Sequence, residues 1–397
     1  MIRMLSCILA AALAAACADD APATADAPFQ VEDSAGVRIV TYEETPAPEP
    51  AFRLSTEPRY RHGANPGDYA FQGIGVGRLF PDGSAVVSDE WASELVVIAR
   101  DGAAYEVLAT DGEGPGEVSY VDAMFVLGGD GVLAADPLLG RVTIFAGGSV
   151  ASTTDLRRFI GVGVVGVGPS GALLLATTTR RMGTETDWVS GHMARFDMET
   201  GAIDTVAAYD FKPPIPSGMD WDPIEAVGEV TVATGQFVHT RSDRPEVTWR
   251  LQDGTVTQIV RWRAEPTLLT EELLGPIEAV LRTGIRMHDP ELSDDRLAEA
   301  TRQNMAAYHA GIGRPLPLFG SPFADAAGRV WLPSYRAGGE LKSAPPYIVI
   351  APDGEWLGTV EAPPRFRILD VAGGLVLGVE LDDVDVESVV VYELLGG

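Results

Sequence analysis

Cysteine is nearly absent from the 397 residues: Cys7 and Cys17 are the only two. Cys7 lies inside an N-terminal apolar run, so Cys17 has no disulfide partner in the rest of the chain. Positive charge is scarce as well. Lysine and arginine total 29 against 57 aspartates and glutamates, a formal net charge of −28. Nucleic acid is a poor partner for such a chain, because phosphate binding needs a basic footprint. An anionic membrane surface is repelled. Beyond the N-terminus no apolar run is long enough to span a bilayer. The five histidines are His62, His192, His239, His288 and His309, and none has a second at metal-ligand spacing. The Gly-rich stretch Asp111-Gly-Glu-Gly-Pro-Gly-Glu117 is not a phosphate loop: it lacks the Lys-Ser/Thr pair and the following helix.

What the chain has in quantity is turn formers, with 44 glycines and 28 prolines beside 46 % hydrophobic residues. That composition fits one large, turn-dense all-β domain. After the Gly-rich stretch the sequence reads as a meander. A strand leads to Gly129-Asp130-Gly131, then Val132-Leu-Ala-Ala-Asp136, then Arg141-Val-Thr-Ile-Phe145. The unit recurs. Pro81-Asp-Gly83 is followed by Ala85-Val-Val-Ser-Asp89 and Glu94-Leu-Val-Val-Ile98; Gly83 and Gly131 are 48 positions apart, Asp89 and Asp136 are 47 apart. Further copies begin at Gly168-Pro-Ser-Gly171, Val230, Ala324 and Ala372. Six units of three or four strands, repeating at roughly 40–50 residues, predict a six-bladed β-propeller. The last unit ends after its third strand, so an N-terminal strand is expected to close the last blade, which removes open sheet edges.

The pattern resembles bacterial six-bladed β-propeller proteins of the NHL-like kind. The residues that carry it are Gly112-Glu-Gly-Pro-Gly-Glu117, the turn at Gly131, the strand end at Asp136 and Val142-Thr-Ile-Phe145. Asp33-Ser-Ala-Gly-Val-Arg-Ile-Val40 looks like the start of the secreted lipoprotein members. The resemblance covers about residues 30–395. It implies the fold and leaves function open, since propellers host lyases, lactonases and plain binding proteins.

The N-terminus reads as a secretory signal over residues 1–16, with a short basic start and a small-residue apolar run. Ala14-Ala-Ala-Cys17 resembles the lipobox of bacterial lipoproteins, with Leu13 four positions before the cysteine where the family has leucine three before. The resemblance implies acylation of Cys17, a membrane anchor and, with Ala18 next, outer-membrane sorting. Ordinary cleavage after Ala16 is the competing reading. Residues 17–29 are expected to be a flexible tether, and residues 30–397 the propeller. One departure from β is expected, a helical insertion near 266–313. There Thr270 and Ser293 read as N-caps, Leu273, Ile277, Val280 and Leu281 fall at helical spacing, and Leu297, Thr301, Met305 and Tyr308 share one face.

In a propeller, the crossings between blades and the loops between second and third strands share one face. The candidate ligand-binding residues on it are Trp91, Arg180, Arg181, Trp188, His239, Arg241, Tyr335 and Arg336. Arginine forks suit carboxylate or phosphate groups, and aromatic rings suit sugars or apolar groups. The same residues can equally be loop charge that is solvated or paired. Asp89 and Asp136 recur at one strand end, so they are expected to bond local turns rather than to act as acids or metal ligands. The functional expectation is a lipid-anchored envelope protein with a binding or interaction module. Its partner would be an unidentified small molecule or envelope protein, it would need no cofactor, and an acidic closed ring is compatible with a monomer. The rival expectation is a lactonase-like metal-dependent hydrolase or lyase with calcium or zinc on the propeller axis.

Overall fold

The computed structural model describes residues 29–45, 50–159, 161–177, 188–212, 222, 224–289, 291–336 and 346–396. Four N-terminal strands come first: β1 (Gln30–Ser34), β2 (Val37–Tyr42), β3 (Pro50–Leu54) and β4 (Tyr60–His62). Three four-stranded up-and-down sheets follow. The first is β5 (Ile74–Leu79), β6 (Ala85–Asp89), β7 (Glu94–Ile98) and β8 (Tyr105–Ala109). The second is β9 (Ala123–Val126), β10 (Val132–Asp136), β11 (Arg141–Ala146) and β12 (Ser149–Asp155). The third is β13 (Val162–Val167), β14 (Leu173–Thr177), β15 (Val189–Phe196) and β16 (Ile203–Lys212). A six-stranded sheet then combines β17 (Gly228–Ala233), β18 (Gln236–Arg241), β19 (Glu246–Arg250) and β20 (Val256–Trp262) with β2 and β1. Helices α1 (Glu271–His288) and α2 (Asp294–Ala310) interrupt the strands. A nine-stranded sheet ends the chain: β21 (Phe323–Ala324), β22 (Val330–Pro333), β23 (Tyr347–Ile350), β24 (Trp356–Glu361), β25 (Phe366–Ala372), β26 (Leu375–Leu381) and β27 (Glu387–Gly396), with β3 and β4. The molecule is all-β with two helices, and its sheets stand in a propeller-like arrangement.

The residue pattern explains the stacking. β6 and β10 are buried at every position, whereas β12 is exposed over most of its length. A second strand is covered on both faces by neighbouring sheets, so it reads as a continuous small and apolar run. A fourth strand faces water. Gly83 (φ 88°) and Gly354 (φ 87°) close matching turns, with their amides donating to Phe80 O (3.0 Å) and Ala351 O (2.9 Å). A side chain at Gly354 would also press on Val40 and Val260, where the N-terminal strand meets its sheet.

The repeated aspartates do more than bond a local turn. Asp89 accepts from the amides of Gln72 (2.8 Å), Gly73 (3.2 Å) and Ala92 (3.2 Å). Asp136 does the same with Ser119 (2.7 Å), Tyr120 (3.1 Å) and Leu139 (2.9 Å). Each carboxylate therefore clamps the incoming crossing to the loop three residues on. Arg141 holds the Gly-rich stretch in the same spirit, donating to the carbonyls of Glu113 (2.9 Å), Gly114 (2.7 Å) and Glu117 (2.7 Å).

The N-terminal strands are distributed over two sheets. β2 lies parallel to β20, with Val40 opposite Val260 and Tyr42 opposite Trp262. β3 sits between β24, which it meets in parallel, and the end of β27. β4 pairs with β27 through His62 and Val389. Burial of Tyr42 beside Trp262 and Trp356, and of Phe52 beside Trp331, gives the strands their hold.

The helical pair falls within the expected insertion. Thr270 and Ser293 take the N-cap positions with extended backbone, but neither side chain makes a cap hydrogen bond. Pro276 is accommodated inside α1. Leu297, Thr301, Met305 and Tyr308 are buried along α2. Met305 and Tyr308 form a cluster with Leu274, Ile277, Leu269 and Ile224. Arg314 fixes it to the preceding crossing through two bonds to buried Asp222 (3.0 and 2.5 Å).

Candidate binding site at the axial mouth

Strands β5, β9, β13, β17, β21 and β25 surround a cavity of about 410 Å³. Arg78, Phe125, Val165, Val232, Phe323 and Asp370 stand for the six strands in its wall. Apolar side chains such as Phe125, Val165, Val232 and Phe323 share the wall with Arg78, Asp122, Asp325 and Asp370, and polar groups make up the larger part of its exposed surface. Its polar groups are partly engaged. Arg78 donates to Gly77 O (2.8 Å) and Leu369 O (3.2 Å), with its guanidinium 5.8 Å from the Phe125 ring centre. Asp370 accepts from the Leu79 amide (2.8 Å), and burial raises its pKa against the pull of Arg78. Asp325 accepts from Arg329 Nε (2.6 Å) and Trp331 Nε1 (2.8 Å), which serves the β21–β22 turn.

Asp122, just before β9, occupies a different position. Its amide donates to Ala135 O (3.2 Å). Among the described residues no group beyond its own amide donates to its carboxyl. Water reaches this side chain, yet enough protein surrounds it that desolvation, then the charge of Asp136, pushes its pKa up to about 6. Asp122 also lines a second cavity of about 300 Å³, wedged between the second and third sheets. Leu138, Leu156, Phe159 and Val162 give that wedge apolar walls, and Arg141 adds a polar one. The Arg141 Nε is buried without a partner among the described residues. Asp122 and Val164 belong to both cavities, so the two meet there.

Other acids gather where the inner strands begin. Glu90 folds over Gly75, its carboxylate filling the space a Cβ there would need. Burial raises the Glu90 pKa; Arg367 opposes the shift, and Glu387 and Asp89 add to it. Arg367 donates to Ile74 O (2.6 Å) and Gly75 O (3.1 Å). Glu229 is raised by burial and accepts from the Ser321 hydroxyl (2.8 Å). Tyr120 is raised by burial and by the charges of Glu90 and Asp122. Displaced pKa values in a cavity mark a candidate functional site; of these acids, Asp122 and Asp370 line the axial cavity. Among the described residues no three His, Cys, Asp or Glu side chains converge as a metal ion would require.

The residues singled out in the sequence are dispersed. Trp91 is exposed, with its ring against Gly73. Trp188 lies beneath the Arg241 guanidinium, 3.6 Å from ring centre to Cζ. Arg241 is buried, donating to Asp210 (2.5 Å) and to both oxygens of Asp243 (3.0 and 2.7 Å). Its fork is thus taken up within the protein. His239 packs against Tyr209 at 5.5 Å, and burial brings its pKa down to about 4, so it is neutral. Its Nε2 is buried without a partner among the described residues. Tyr335 packs into the helical cluster, and Arg336 acts electrostatically on Tyr347. Arg180, Arg181 and Cys17 lie outside the described residues. The structure therefore joins Trp188, His239 and Arg241, and separates them from Trp91 and Tyr335. Asp122, Arg141, Glu90 and Glu229 escaped the sequence reading. An acid ending a crossing, directly before an apolar inner strand, is the pattern that could have flagged Asp122.

No protein-family model matches the chain. No curated protein matches it either. Solved structures do. A protein from Bacteroides fragilis described as exported aligns over 90 % of this chain and 99 % of its own, at 12 % identity and a TM-score of 0.51. The calcium-binding protein regucalcin from Agrobacterium tumefaciens aligns over 88 % and 97 %, at 12 % identity and 0.44. Virginiamycin B lyase from Staphylococcus aureus aligns over 86 % and 99 %, at 10 % identity and 0.42. At these identities the likeness is one of fold alone.

Proposed function

We propose that the chain is an exported, lipid-anchored propeller of six blades whose mouth takes up a small molecule at Asp122. The blade count rests on the strand order. The nine-stranded sheet divides into β21–β24 edged by β3 and β25–β27 completed by β4. With β17–β20 and the three four-stranded sheets, that makes six units, matching the six strands around the cavity. Export and anchoring rest on the N-terminal sequence, with Cys17 as the acylated residue. The B. fragilis structure described as exported is in keeping with this.

One observation carries the binding reading: two cavities meet at Asp122, whose carboxyl no other described residue satisfies, and Arg141, whose buried Nε has no partner among the described residues, lines one of them. Such a pair suits a ligand with an apolar body and a donor and acceptor side by side, as in an amide. The donor would meet ionised Asp122 and the acceptor would meet Arg141. Trp188, His239, Arg241 and Arg336, with Arg180 and Arg181, would shape the rim, and Trp91 would lie beside the opening. A panel of small apolar amides, screened by thermal shift at neutral pH, tests the reading. Binders should raise the unfolding midpoint of the native chain and lose that effect in Asp122→Asn. Binders indifferent to Asp122→Asn and to Arg141→Lys would sink it. For the anchor, Cys17→Ser should move the exported protein from the membrane to the soluble fraction.

The axial acids Asp122 and Asp370 favour one further reading, a lactonase-like hydrolase or lyase holding calcium or zinc on the axis. The described residues do not fit such an ion, since no three ligands converge. Metal content measured on the chain purified without chelator decides between the two readings.

A further inference from the structure

Large apolar side chains are exposed at several places, and the three most exposed among the described residues share one face. They are Val384 (77 %), Leu138 (72 %) and Trp91 (64 %). Each occupies the loop between the second and third strands of its four-strand unit: β26–β27, β10–β11 and β6–β7. The three units are consecutive, because β25 packs against β5 and β5 against β9. Tyr120 and Val386 are exposed beside them. Single exposed apolar side chains need no partner; here, however, three of them stand at loop tips on one face of three consecutive units.

The chain's own N-terminus leaves from that face. β20 ends at Trp262, where the crossing to β21 begins, and β2 runs parallel to β20 with Tyr42 opposite Trp262. β1 returns antiparallel, placing Gln30 opposite Thr41. The Phe29 ring sits 5.1 Å from that of Tyr42, at the same end. Eleven residues, Ala18–Pro28, separate Phe29 from Cys17. A flexible linker of that length spans about 18 Å on average. An acyl group on Cys17 would thus hold this face within a few side-chain lengths of the bilayer, at high effective concentration.

We infer that the face bearing Trp91, Leu138 and Val384 rests on a zwitterionic lipid surface, with the axial mouth turned toward the membrane. The local charges define the surface. Glu90 adjoins Trp91, and Val384 is flanked by Asp382, Asp383 and Asp385. Asp382 is used by the amides of Val384 and Val386 (2.9 Å each), and Asp385 pairs with Arg365. Carboxylates at the tips forbid anionic lipid and deep insertion, while choline headgroups accept them at interfacial depth, where tryptophan is at home. A ligand of the mouth would then arrive along the membrane surface.

The inference rests on the anchor reading of Cys17, and the test imposes the anchor chemically so that the two can fail separately. The chain beginning at Cys17 carries a single thiol. It is coupled there to a maleimide-headgroup lipid in phosphatidylcholine vesicles, with and without brominated acyl chains. Brominated lipid should quench part of the tryptophan emission, and Trp91→Phe should remove that part. Leu138→Ser with Val384→Ser should reduce it. Coupling instead through Gly128→Cys in a Cys17→Ser chain, from the opposite face, should abolish it. No quenching traceable to Trp91, as when the face meets water or a protein partner, overturns the inference. So does equal quenching from the opposite attachment.

Discussion

At the scale of single residues, the acids of this chain divide by what surrounds them. Asp89 and Asp136 are buried to 1 % and 3 % exposure, and each is satisfied by three amides. Truncating such a group orphans buried donors. Asp136→Ala should cost about 2–3 kcal/mol in denaturant unfolding, and no loss would show that the clamp is redundant. Asp122 has the opposite character. Its folded pKa of about 6 lies above its unfolded value. Ionising it therefore opposes folding: the penalty is absent below about pH 4, grows between 4 and 6, and is complete above 6. Because water reaches the group, the penalty is about 1 kcal/mol or less. Asp122→Asn should be the more stable protein at pH 7 and equal to the native chain at pH 4, as parallel melts at the two pH values would reveal.

At the scale of elements, the helical pair is a small body docked on a large one. It buries its apolar face in its own cluster with Ile224, Leu269, Leu316 and Tyr335. The Asp222–Arg314 pair ties that cluster to the crossing after β16. Asp222 is buried, so removing its partner leaves a desolvated charge. Arg314→Ala should loosen the insertion by about 3 kcal/mol and expose it to limited proteolysis while the sheets keep their melting temperature. Uniform destabilisation of the whole chain would mean that the pair belongs to the main core. Periodicity exposed the α2 face correctly because a helix on a core obeys a 3.6-residue rule wherever it lies. The cap side chains were legible only as positions; Thr270 and Ser293 make no cap bond.

At the scale of the whole molecule, closure depends on strands far apart in sequence. β1–β4 complete the last two sheets, so strands between Gln30 and His62 pair with strands from Val256 onward. A chain begun at Arg59 keeps β4 and loses β1–β3. It should uncover Val260, Trp262, Trp331 and Trp356, melt well below the full chain and aggregate through the freed edges of β20 and β24. An unchanged melt would reduce those strands to decoration.

The sequence by itself determined the all-β class, the repeat, its turn glycines and the helical insertion. Each of these is written in local spacing, whether of turns that demand a positive φ or of apolar faces with a fixed period. Second and third strands such as β6, β7, β10 and β11 were legible for the same reason. β15, β16 and β18 were missed, because polar residues such as Ser190, His192, Asp204 and His239 interrupt their apolar pattern. The candidate site was almost wholly illegible. Arginine spacing could not reveal that Arg241 is taken up by Asp210 and Asp243, since those partners are 31 and 2 positions away and meet it only through folding. Nor could it single out Asp122, one acid among 57 acidic residues. Its significance comes from standing where two cavities join and where, among the described residues, no donor beyond its own amide reaches it, and only the tertiary structure decides which carboxylates are satisfied and which are left open.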